Sequence, residues 1–210
     1  MRLLYSPGYG LLIAALICSS ATAQSPWKLR REEEGIKVYT ASSDTSAFQT
    51  LRAEFDVTAT TGQLMQVLMD APAQPRWVYN AKSARVLKHV SPDEVVLYSV
   101  VGLPWPCSNR DYVAHIKVAH PSAGVTTIDS HAEDGHLPPQ KGIVRVRESS
   151  AHWQITETGP GHVTVQYQLR FNPGGAIPAW LVNMFITRGP CHTFRHLREE
   201  VAQRAVKVEG

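Results

Sequence analysis

Val163-Thr164-Val165-Gln166-Tyr167-Gln168-Leu169-Arg170-Phe171 is followed, past Asn172-Pro173-Gly174-Gly175, by a segment with a different rhythm. In the first run Val163, Val165, Tyr167, Leu169 and Phe171 share one face, and Thr164, Gln166, Gln168 and Arg170 the other. Period two marks a strand with one buried side. In the second, Ile177, Leu181, Met184, Cys191, Phe194, Leu197, Val201, Ala205 and Val208 fall mostly three or four apart, an amphipathic helix of about 30 residues. Gly189-Pro190 lies inside it and is expected to kink or split it, because proline lacks the amide hydrogen and clashes with the preceding turn. The switch of period indicates α+β: strands closed by a long helix.

Working back toward the N-terminus, strand patterns occur at 153–157, 143–148, 125–131, 112–118, 95–101 and 84–89. The cleanest is 112–118, where Tyr112, Ala114, Ile116 and Val118 share a face. Ser91-Pro92-Asp93 and Pro104-Trp105-Pro106 read as a turn and an extended break. Thr60 or Thr61 caps a helix that carries Leu64, Met65, Val67, Leu68 and Met69 and stops before Pro72. Residues 70–77, with two prolines, read as a loop. Residues 36–39 and 48–57 alternate as strands, with Phe48, Thr50 and Arg52 on one face of the second. Pro26-Trp27 is expected to open a short charged helix through Glu33, ended by Gly35.

The first 23 residues read as an export signal: Arg2, the apolar run Leu11 to Cys18, and Ala21-Thr22-Ala23 before Gln24. The apolar run falls short of the roughly 20 residues a bilayer span needs. A periplasmic or secreted protein is therefore expected, with one domain over residues 24–210. Losing the leader removes one Arg and no acid, leaving 20 basic against 18 acidic residues. That balance, without a block of like charge, speaks against nucleic acid. Cys107 and Cys191 remain, either as a disulfide or as buried thiols.

Five segments stand out in order: Glu34-Gly35-Ile36-Lys37-Val38-Tyr39, Trp77 after the first long helix, Pro104-Trp105-Pro106-Cys107-Ser108-Asn109-Arg110-Asp111-Tyr112-Val113, Gly142-Ile143-Val144-Arg145-Val146, and 172–183 at the entry to the last helix. Together they resemble the START domain family of lipid-transfer domains. The wording is most similar to phosphatidylcholine-transfer members. The resemblance implies a helix-grip fold, one lipid in an internal apolar cavity, and no cofactor. Two departures limit it. Gln74 and Val78 stand where phosphatidylcholine binders place a basic residue and an Asp around the Trp. Ile116 stands where sterol-type members place a basic residue.

The expected ligand contacts are Trp77, Tyr98, Tyr112, Ala114, Ile116, Trp153, Tyr167, Leu181, Met184 and Phe185. Tyrosines offer single hydroxyls to orient a head group, and methionine adapts to flexible chains. Arg110 and Asp111 are expected to satisfy each other while organising a turn. Arg145 and Arg147 are expected on an outer, solvated face, and His192 and His196 on a solvated helix face rather than on a metal. The function expected is binding and transfer of a sterol, fatty acid or phospholipid, with transient membrane contact. The alternative is a helix-grip cyclase or hydrolase. It lacks support, since no G-x-S-x-G, CxxC or H-E-x-x-H is present, and His115 falls on the strand face opposite Tyr112.

Overall fold

The computed structural model describes residues 27–41, 49–175 and 177–209. The expected leader and Phe48 lie outside them. The strands are β1 (Trp27–Glu33), β2 (Ile36–Ala41), β3 (Gln49–Val57), β4 (Ala81–Ser91), β5 (Glu94–Val101), β6 (Asn109–Ser122), β7 (Val125–Ala132), β8 (Ile143–Arg145), β9 (Glu148–Gly159) and β10 (His162–Asn172). The helices are α1 (Thr61–Leu68), α2 (Gln74–Trp77) and α3 (Ala179–Glu209).

One sheet runs β1-β2-β3-β10-β9-β7-β6-β5-β4, every neighbour antiparallel. β8 adds a parallel pairing to the start of β6, Asn109 opposite Ile143. The sheet is curved and α3 lies against its inner face. The helix is anchored by Phe194, which stacks on Phe55 with ring centroids 4.3 Å apart and meets Tyr167 and Trp153 edge-on at 5.4 and 5.8 Å. Leu181, Leu197 and Val201 are also buried on this face.

Several expectations need correction. Residues 27–33 form a strand, not a helix. Glu34 and Gly35 both take positive φ, 50° and 72°, which closes a tight β1–β2 hairpin. The glycine that could end a helix here turns a chain. Residues 70–77 are not a loop: a 3-10 turn at Ala71–Ala73 leads straight into α2. The expected strand at 143–148 stops at Arg145, and β9 begins at Glu148.

α3 is not split at Pro190; the helix runs through it for 31 residues. The bare Cα of Gly189 lets the Tyr79 ring approach, since a Cβ there would lie 3.4 Å from its Cδ1. α1 begins as expected. Thr60 caps it reciprocally, its hydroxyl accepting from the Gln63 amide at 3.2 Å while the Gln63 Oε1 accepts from the Thr60 amide at 2.9 Å. Cys107 and Cys191 are both free thiols.

Candidate ligand-binding site

Alternation along β6, β7, β9 and β10 turns every second side chain toward α3. Between sheet and helix lies a cavity of about 340 Å³. That is the lower end of the range for single small-molecule sites, about 300–1,000 Å³. Tyr112, Ala114 and Ile116 of β6, Trp153 of β9, and Tyr167, Leu169 and Phe171 of β10 face it from the sheet. Leu181, Phe185 and Phe194 face it from α3, and Gln74 and Trp77 from α2.

Eight of the ten expected contacts therefore meet around one space: Trp77, Tyr112, Ala114, Ile116, Trp153, Tyr167, Leu181 and Phe185. Tyr98 and Met184 are not in its wall. On β5 it is Leu97 and Val101 that face the cavity. Tyr98 has the other parity and packs with Val96 and Val113 on the outer face, beneath Leu137. Its hydroxyl donates to Asp111 Oδ2 at 3.1 Å. The Met184 sulfur is turned to the Tyr79 hydroxyl, 3.9 Å away.

The wall is mostly apolar with a few buried polar groups. Burial pushes the Tyr112 and Tyr167 phenols well above their ordinary pKa, so both keep their protons as donors. Gln74 Oε1 and Trp77 Nε1 are buried without a hydrogen-bond partner. Arg110 shares parity with Tyr112 and lines the cavity while only 7% exposed. It does not pair with Asp111. Its guanidinium donates to the carbonyls of Ser108, Pro173 (3.2 Å) and Gly174 (3.0 Å). Burial lowers its pKa.

Asp111 points to the other face, where Arg145 grips both carboxylate oxygens at 2.8 and 2.9 Å. Arg145 is on the outer face as expected, but it is not solvated: its side chain is 6% exposed, and its Nη1 donates to the Leu137 carbonyl of the covering segment. Arg147 is exposed and paired with Asp134. His192 and His196 are half-buried rather than solvated. Their rings meet at 3.9 Å, and His192 also meets Tyr79. Burial, then the neighbouring His196 and Arg195, lowers the His192 pKa. Among the described residues no group of three His, Cys, Asp or Glu is placed to hold a metal.

The sequence reading missed Arg110 as a wall residue, although its even spacing from Tyr112 and Ala114 was the available signal. It also missed an ion network joining α2 to α3. Glu200, 8% exposed, accepts from Arg76 at 2.8 Å and Arg204 at 2.9 Å, and Arg204 also reaches Asp70.

A START domain model matches residues 13–206. An uncharacterised protein of Pseudomonas aeruginosa is 30% identical over 188 residues, covering 90% of this chain and 92% of its own. Phosphatidylcholine transfer protein of Mus musculus is 27% identical over 176 residues, 80% of each chain. A crystal structure of a STAR-related lipid transfer protein from Xanthomonas axonopodis superposes with a TM-score of 0.77 at 32% identity, covering 85% of this chain and 99% of that one. A match over nearly the whole sequence, together with the curved sheet, the closing helix and the cavity between them, leads to one assignment: the chain belongs to the START domain family.

Proposed function

We propose that the protein binds a single hydrophobic ligand in this cavity and carries it between membranes after export. The observation that carries the reading is the mostly apolar space of about 340 Å³ between sheet and α3, in a member of a family whose named relatives are lipid-transfer proteins. Each methylene moved from water into such a space contributes about 0.8 kcal/mol, less the cost of ordering the chain.

Membrane contact is supported by Trp105 and Trp180, 90% and 58% exposed. Trp105 lies three residues before Ser108, whose carbonyl holds Arg110, and Trp180 stands in the first turn of α3. Indoles favour the boundary between water and lipid. Export rests on the signal pattern of residues 1–23. A carrier is favoured over an enzyme because the named relatives are lipid-transfer proteins and the wall is mostly apolar.

Native mass spectrometry of the protein purified from its source, followed by extraction and identification of lipids, tests the reading. A one-to-one lipid adduct on a chain beginning at Gln24 is expected. A protein that carries nothing and takes up no fluorescent fatty acid, sterol or phospholipid would overturn it.

A further inference from the structure

Arg110 is a buried guanidinium in an apolar wall. Among the described residues no carboxylate pairs with it. Asp111, its neighbour in sequence, is turned to the opposite face of the sheet and is engaged by Arg145 and Tyr98. The three groups that Arg110 does meet are neutral backbone carbonyls. A guanidinium has five N–H donors. Three are used on Ser108, Pro173 and Gly174, leaving two. Those carbonyls orient the side chain but leave its charge uncompensated, and an ion held out of water calls for a counter-ion.

We infer that Arg110 is the head-group residue of the cavity, and that the ligand is a lipid whose head is an oxyanion, a carboxylate or a phosphate. This deepens the carrier reading and rests on it. The planar fork of arginine suits two oxygens of one anion. Val101, Leu103, Phe171 and Ile177 also line the cavity, so the tail of the same ligand meets apolar surface. The exposed Trp105 lies three residues before Ser108, which places the head group at the end proposed to meet the membrane. The rival polar pole is on α2, where the unpartnered Gln74 Oε1 and Trp77 Nε1 would suit a neutral hydroxyl.

Binding of three probes with one chain length separates these possibilities: palmitate, 1-palmitoyl lysophosphatidate and hexadecanol. The expected result is that palmitate, lysophosphatidate or both bind the wild-type protein about tenfold or more tightly than the alcohol. Which of the two is preferred identifies the oxyanion. Palmitate labelled with ¹³C at the carboxyl gives an independent readout. Beside Arg110 its titration midpoint moves down on binding, whereas burial in an apolar wall alone moves it up. In Arg110→Gln the preference for the anion is lost while hexadecanol binding remains. Should that variant fail to fold, the two wild-type measurements decide. Binding of neither anion more tightly than the alcohol, or a raised midpoint for a palmitate that binds more tightly than the alcohol, overturns the Arg110 assignment and leaves the carrier reading standing. Failure of all three probes to bind overturns the Arg110 assignment, and a failure to take up sterol and diacyl phospholipid as well overturns the carrier reading.

Discussion

Asp111 is the most completely buried charge in the described residues, its side chain 1% exposed. Arg145 holds both of its oxygens, and Tyr98 donates to one of them. Donating to Asp111 raises the Arg145 pKa despite burial, so the guanidinium keeps its charge. Removing one partner strands the other charge, which costs about 3–5 kcal/mol in such sites. Arg145→Met is therefore expected to lose about that much in urea unfolding. The double variant Asp111→Leu with Arg145→Met should lose less than the single, because no orphaned charge remains. A double variant weaker than the single would show that the pair contributes by attraction and not by mutual neutralisation. The same residues mark where sequence reasoning reaches its limit. Alternation on β6 correctly grouped Tyr112, Ala114 and Ile116, because one face of that strand is visibly more apolar. On β5 both faces are apolar, so alternation does not say which way Tyr98 points, and its hydroxyl lies on the outer face. Arg145 looked solvated because its partner is 34 residues away and the segment carrying Leu137 covers it. Neither fact is local.

At the scale of elements, α3 is fastened to the sheet by Phe194 and to α2 by the charges of Arg76, Glu200, Arg204 and Asp70. Hydrogen bonds from Arg76, then from Arg204, lower the Glu200 pKa from its ordinary value of 4.5, against the opposing effect of burial. A carboxyl with a depressed folded pKa contributes stability that is present above its unfolded pKa and is lost as pH falls through the folded one. Arg76 is half-exposed, which screens the pair, so Glu200→Gln is expected to cost about 1–2 kcal/mol at neutral pH. Its unfolding curve should converge on the wild type below the ordinary carboxylate range. A deficit that persists undiminished in acid would mean that Glu200 acts by packing alone. This fastening is invisible in the sequence, since Arg76 and Glu200 are 124 residues apart and Asp70 and Arg204 are 134 apart. Long elements with one clear period, β10 and α3, were legible. The short charged β1 was not, because an edge strand with both faces wet shows no alternation and its glycine suits a helix end as well as a hairpin.

For the molecule as a whole, an apolar cavity at the centre leaves its lining without partner atoms, and a ligand restores those contacts. Anything that binds the folded chain and not the unfolded one stabilises it by mass action, about 2.7 kcal/mol at a hundredfold excess over Kd. A chain of this size gains about 2–4 °C in Tm per kcal/mol. A bound lipid should therefore raise the melting temperature by about 5–11 °C. Ala114 supplies the control. It is buried at 7% exposure in the cavity wall, between Tyr112 and Ile116 on β6. Ala114→Trp places an indole in the space a ligand would fill and shields lining that is otherwise bare. The unliganded variant should melt within a few degrees of the wild type, and ligand should no longer raise its Tm. The two proteins together separate filling of this cavity from adsorption of lipid elsewhere. A variant that loses the shift while keeping its own Tm places the ligand between β6 and α3, whereas one that still gains the full shift places it outside the cavity and removes the physical basis for the carrier.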